Sequence, residues 1–250
     1  MAFFDSAGVK IHYEEYGSGE PAVLVHGFAA SAEANWVTPG CVDSLKPHFR
    51  VITLDCRGHG QSDKPHDPAA YGSEMEDDVI RLMDHLGVQR TRLMGYSMGG
   101  RISAGLLVRF PERFQAVVLG GFGVGAQMRD PARQKAIAQA LLAGDSAAIA
   151  DETAKGFRAF AEANHNDLKA LAACMSADRE PIDPAAFARN KVPVELVVGT
   201  KDEAIGSARK LRDMIAGARL VEIEGRHHLN APGDQRYKDA ALAFFRNAPA

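Results

Sequence analysis

Short β-rich runs alternate with longer segments of helical period through most of this 250-residue chain. That alternation excludes all-helical and all-strand folds and predicts an α/β architecture, a mostly parallel sheet with helices packed on both faces. PAVLVHG and RVITLDCRG are continuous apolar runs, suited to central strands buried on both sides. VKIHYEEY alternates instead, as a strand near an edge does. RTRLMG, FQAVVLGG, PVELVVG and ARLVEIEG continue the set, so a sheet of about eight strands is expected.

The segments between the runs carry helix signals. EMEDDVIRLMDHLG places Met75, Val79, Leu82, Met83 and Leu86 on one helical face and closes with Gly87, suited to the position just past a helix end. MGGRISAGLLVRF reads as a helix stopped by Pro111, and SARKLRDMIAG and RYKDAALAFFRNA as two later ones. From Gly123 to Asn190 no run reads as a strand. Ala-rich helical stretches there begin at cap signals, such as Asp130 with Pro131 at the first helical position. The expectation is one α/β domain, residues 1–250, in which a helical cap, 123–190, is inserted between core segments 1–122 and 191–250.

With 46% hydrophobic and 24% charged residues, the chain can bury one large core. Its formal net charge of −3 provides no basic face for nucleic acid or an anionic membrane, so the expected partner is a small molecule or a protein. The sequence does not specify an oligomeric state. Cys41, Cys56 and Cys174 form neither a CxxC pair nor a metal-ligand spacing, so neither a disulfide framework nor a zinc site is expected. No basic leader precedes an apolar stretch at the N-terminus, and no run approaches the ~18 apolar residues of a membrane span; a cytoplasmic location is the expectation.

Between the RTRLMG strand and the next helix stands GYSMGG, with Ser97 flanked by Gly95 and Gly99. In a sharp strand-to-helix turn, glycines on both sides let backbone pass close by and leave the serine hydroxyl exposed at the C-terminal edge of the sheet. The motif alone is weak. Its place after a buried strand and before a helix makes Ser97 a candidate nucleophile, because ligands of open α/β sheets bind at that edge.

HGF after one strand, DCRGHGQS after the next, GYSMGG and a late GRHHL follow in order, and together they resemble the α/β-hydrolase superfamily. The likeness spans the sheet region and leaves 123–190 without a placed motif. It implies a serine nucleophile, an acid and a histidine base in that chain order, a backbone oxyanion hole and no metal or organic cofactor. It does not imply a substrate.

The turn GTKDE offers two carboxylates, Asp202 and Glu203. The superfamily pattern of glycine followed three residues later by aspartate matches Gly199 and Asp202, leaving Glu203 as a solvated neighbour. An alternative acid position, after the preceding strand, is empty of carboxylates in VVLGGFGVG. Of nine histidines, His26 and His59 precede Ser97 and are read as structural, as are Asp55, Arg57, Gly58, Gly60 and Ser62 of the turn beside the site. The late pair His227 and His228 follows a strand. Adjacent residues point in different directions, so at most one of them serves a given site, and spacing alone does not choose. The superfamily's Gly-x-x-His turn, fitted to Gly225, implies His228.

An oxyanion hole needs two N–H donors aimed at developing charge; Met98, after the nucleophile, supplies one. The resemblance places the second at Phe28. Phe28, Trp36, Tyr96, Met98, Phe122 and Leu229 are candidates for an apolar substrate pocket, each with an alternative reading as ordinary core. Phe157, Phe160 and Phe187 are read as the core of the cap.

The function expected is a serine hydrolase of small to medium apolar carboxylic esters, of the carboxylesterase kind, working through an acyl-enzyme with no metal or cofactor. Two alternatives stay open: a C–C bond hydrolase of ring-cleavage products, and a ligand-binding receptor or scaffold with slow turnover. Haloalkane dehalogenation in this superfamily uses an aspartate nucleophile, and position 97 is serine. Perhydrolase and lyase side activities share the triad and are not separable by sequence.

Overall fold

The computed structural model describes residues 2–127 and 131–248. One sheet contains β1 (Ala2–Ser6), β2 (Val9–Tyr16), β3 (Pro21–Val25), β4 (Arg50–Leu54), β5 (Thr91–Tyr96), β6 (Phe114–Gly120), β7 (Val194–Gly199) and β8 (Arg219–Ile223). The strands lie in the order β1-β2-β4-β3-β5-β6-β7-β8. The first two pairings are antiparallel and all later ones parallel. The chain moves from β3 to one side and returns on its other side as β5, so the strand order reverses there and a crevice opens beyond the ends of those two strands.

The strand β1 is absent from the runs read in the sequence, and its inward residues explain why. Phe4 and Ser6 face the core, and a serine at an inward position hides the alternation. Its hydroxyl is satisfied by donation to Asp78 Oδ1 at 2.5 Å.

Central strands are apolar throughout because both faces are covered. Val23 and Val25 of β3, with Val117 and Leu119 of β6, pack under α2 (Glu74–His85), α3 (Met98–Arg109) and α9 (Ala208–Met214). The intervening Ala22, Leu24, Ala116 and Val118 pack under α1 (Cys41–Leu45) and α10 (Gln235–Asn247). Helix α2 buries Met75, Val79, Leu82 and Met83, and the chain turns away at Gly87 with φ +67°.

Between β6 and β7 the described chain holds helices α4 (Val124–Gln127), α5 (Pro131–Leu142), α6 (Glu152–Ala163), α7 (Leu168–Ser176) and α8 (Pro184–Ala188). The expected cap at Asp130 lies outside the described residues. Asp151 and Asp167 cap α6 and α7 by accepting from Ala154 N and from Lys169 N and Ala170 N. Ile137, Leu141, Ala154, Ala161 and Leu171 of α5, α6 and α7 form a small core of their own, closed below by Ala29. Phe187 corrects the sequence reading: it is fully buried in the core of the sheet, because α8 is drawn onto the end of α9 by the bond from Ala216 N to Phe187 O. No helix among the described residues is long and apolar enough to cross a membrane.

Candidate active site

Ser97 sits where β5 turns into α3, with φ 54° and ψ −108°. A non-glycine residue at positive φ costs on the order of 1–3 kcal/mol, so the surroundings must hold it there. Ser97 N donates to Gly120 O on the neighbouring strand at 2.9 Å. A Cβ on Gly95 would collide with the carbonyl of Gly99, and one on Gly99 with the carbonyl of Val25. The two glycines let strand and helix close on each other, and the serine is lifted into the crevice.

The candidate acid and base come from the loops after β7 and β8. These loops are tied together by Lys201 N donating to Arg226 O and Gly225 N donating to Thr200 Oγ1, both at 2.9 Å. Asp202 has a fully buried side chain; its Oδ1 accepts from Ala204 N at 3.2 Å, and its Oδ2 lies 2.7 Å from His228 Nδ1. His228 Nε2 lies 2.9 Å from Ser97 Oγ. The structure thus brings Ser97, His228 and Asp202 into one hydrogen-bonded chain. An Nδ1–H donated to the carboxylate leaves the Nε2 lone pair for the serine proton. His227 is exposed, and its ring accepts from Leu229 N at 3.3 Å; Glu203 is exposed too.

The loop after β3 passes over the same crevice. Gly27 N donates to Asn35 Oδ1 at 2.8 Å, and the Asn166 amide donates to Ala29 O at 2.8 Å. Phe28, next in line after Gly27, stacks edge-on against His59 and Phe157, at 5.7 and 5.9 Å. Met98 N stands at the first turn of α3, where a helix has no acceptor of its own for an N–H and its dipole favours negative charge.

Beneath this loop, His26 Nδ1–H donates to Gly27 O and its Nε2 accepts from Cys56 N, at 2.7 and 2.9 Å. Asp55 accepts from Ala32 N and Gln61 N and pairs with His12, while Ser62 Oγ donates to Asp55 O. Burial holds both His26 and His59 below the ordinary histidine range, with His59 lowered to about 3. Both stay neutral when folded, whereas an unfolded chain protonates them below about pH 6.5. Stability is therefore complete above that pH and falls as pH drops from 6.5 toward 3. A urea midpoint is expected to decline between pH 7.5 and 5, with His59 alone accounting for about 2 kcal/mol. A midpoint unchanged over that range counts against a neutral, buried pair.

Ser97 and His228 open into a cavity of about 530 Å³. Phe28, Tyr96 and Leu229 line it, as read from the sequence, with Leu229 67% exposed at the mouth. Trp36 and Phe122 do not. Both are fully buried, Trp36 in the core beneath α10 and Phe122 in the core on the opposite face. The Met98 side chain is likewise core. Phe157 and Phe160 pack against the core of the cap, as read, and also line the cavity, together with Thr153 of α6 and Asn164 just past its end. Asn35 was missed; its signal is a carboxamide one helical turn beyond the HGF loop. No Asp, Glu, Lys or Arg among the described residues lines this cavity, and no cluster of three or more His, Cys, Asp or Glu that could hold a metal occurs among them.

A family described as the α/β hydrolase fold matches residues 21–132. A 2-hydroxy-6-oxo-2,4-heptadienoate hydrolase of Pseudomonas putida is 36% identical over 129 residues, 50% of this chain and 46% of the relative. In alignments with two other curated relatives the chain spans 41% and 30% of their length. Similar solved structures include a hydrolase from Pseudomonas aeruginosa, 27% identical with a TM-score of 0.81 over 98% of this chain and 97% of that one. The enol-lactonase of Burkholderia xenovorans is 25% identical, with a TM-score of 0.84 over 98% and 100%. Sheet order, elbow and relatives agree: the chain has the α/β-hydrolase fold.

Proposed function

We propose that the protein is a serine hydrolase of uncharged carboxylic esters of small to medium size. Ser97 Oγ attacks the acyl carbon as His228 Nε2 takes its proton, and the Asp202 carboxylate stabilises the imidazolium. The tetrahedral oxyanion is held by the N–H groups of Phe28 and Met98. His228 then gives the proton to the departing alkoxide, leaving Ser97 acylated. Water, deprotonated by the same nitrogen, releases the acid and restores the hydroxyl. No step requires a metal or an organic cofactor.

The observation that carries this reading is the chain from Ser97 through His228 to Asp202, opening into a cavity lined by Phe28, Tyr96, Phe157 and Phe160 and, among the described residues, by no Asp, Glu, Lys or Arg. The volume lies within the ordinary range of small-molecule sites. A second reading, hydrolysis of a C–C bond in a dienoate, is favoured by the likeness to the Pseudomonas putida hydrolase. A dienoate carries a carboxylate, however, and a carboxylate taken into a low-dielectric cavity without a cation is costly.

The test is a comparison of kcat/KM for p-nitrophenyl esters of graded acyl length against a 2-hydroxy-6-oxo-dienoate. Esters are expected to be preferred by at least ~100-fold, a few kcal/mol of unpaired-charge burial. A preference for the dienoate overturns the ester reading in favour of C–C hydrolysis. A chain that neither substrate engages, and that forms no adduct with a fluorophosphonate, is a binder and not an enzyme.

A further inference from the structure

Tyr96 ends β5 and immediately precedes Ser97, yet its hydroxyl reaches a different loop. It donates to the backbone carbonyl of His228 at 2.5 Å, joining residues 132 apart. The ring also lies against the His228 imidazole, with centroids 5.3 Å apart and planes tilted by 38°. Behind it, Trp36 and Tyr237 meet the ring edge-on at 6.5 and 6.1 Å. Gly121, at φ 51°, completes the socket: a Cβ there would stand 2.6 Å from the tyrosine ring. Tyr96 is only 4% exposed, with these neighbours packed around the ring.

The His228 loop needs such a tether. Asp202 fixes the imidazole through its side chain, but the backbone around it is a short turn in which Asn230 N and Ala231 N both donate to His227 O. Two histidines stand side by side in that turn, and a one-residue slip would carry His227 toward Ser97 in place of His228. The bond from Tyr96 names one carbonyl. Because the strand that fixes the tyrosine also ends at the nucleophile, the base is set in register against Ser97 itself.

We propose that Tyr96 is a positioning residue, whose hydroxyl acts through the carbonyl of His228 to fix the loop register that presents His228, and not His227, to Ser97. This rests on the reading of Ser97, His228 and Asp202 as the reacting group. Tyr96→Phe removes one atom and keeps every ring contact, and Tyr96→p-aminophenylalanine keeps the ring and restores a donor.

Two rates report the effect: labelling of Ser97 by a fluorophosphonate, and kcat and KM on p-nitrophenyl butyrate. Tyr96→Phe is expected to slow labelling and kcat by about 10-fold with KM within about twofold, the cost of a loosened reacting geometry. The p-aminophenylalanine variant recovers most of the loss. In a His228→Ala background, removing the hydroxyl has no further effect, because the two act as one unit. Wild-type labelling and kcat in Tyr96→Phe overturn the proposal alone, as does an equal loss in both backgrounds. A wild-type protein that the probe leaves unlabelled overturns the reading of Ser97, and the proposal with it.

Discussion

Ser97→Ala is expected to lower turnover of a p-nitrophenyl ester by roughly 10⁴- to 10⁶-fold, leaving a residue of activity from the oxyanion donors and binding. The magnitude follows from the geometry: the Ser97 hydroxyl is the one that faces His228 Nε2, at 2.9 Å. His228→Ala should fall as far, and the double variant no further, because nucleophile and base work as a unit. His227→Ala should stay within a few-fold of wild type, since that side chain is exposed and contacts only its own turn. Steady-state rates on the four proteins check this. If the His227 variant is the dead one, the register of the loop is one residue off. If Ser97→Ala retains full turnover, the chemistry lies elsewhere.

The second large effect concerns stability. Asp78 is 1% exposed and accepts from Arg57 Nε at 2.7 Å and Arg57 Nη2 at 2.6 Å, with Ser6 as a third donor. Asp78→Ala removes the buried, doubly bonded carboxylate of a buried guanidinium and leaves it the more distant Glu74 Oε2, 3.6 Å away and partly exposed, a change that costs roughly 3–5 kcal/mol. For a chain of this length that is a fall in melting temperature of roughly 6–20 °C. Asp43→Ala, which breaks an exposed pair with Lys46, is the control and should move it by no more than about 2 °C. A melting temperature of Asp78→Ala within that same margin would falsify the buried-charge argument. Activity should be preserved below the melting transition, because neither partner touches the cavity.

The sheet was legible because a strand covered on both faces must be apolar at every position, and PAVLV or VVLG admits few other interpretations. The elbow was legible for a different reason: Gly95, Ser97 and Gly99 are neighbours in sequence, so one local turn dictates all three. The walls of the cavity had no such signature. Phe122 stands just past the end of β6 and Trp36 in the helical turn Glu33–Val37, and at either place a ring can be directed up into a crevice or down between sheet and helix, so only the packing of the surrounding helices decides. Phe157 and Phe160 sit on the apolar face of α6, and the sequence of that helix does not say whether α5 or the cavity lies opposite. The pairing of Arg57 with Asp78 joins a loop to a helix, so neither sequence neighbourhood announces the other. The same holds for Tyr96 and His228, whose contact exists only once β5 and β8 share a sheet.

The order of these parts along the chain has a consequence for biosynthesis. The elbow that holds Ser97 is complete before the helices described between β6 and β7, while Asp202 and His228 arrive after them, in the loops that follow the last two strands of the sheet. Domains are made from the N-terminus onward. On the proposed reading, a nascent chain halted anywhere in that helical stretch holds Ser97 without the two side chains proposed to activate it, so reactivity is expected only once the final strands dock.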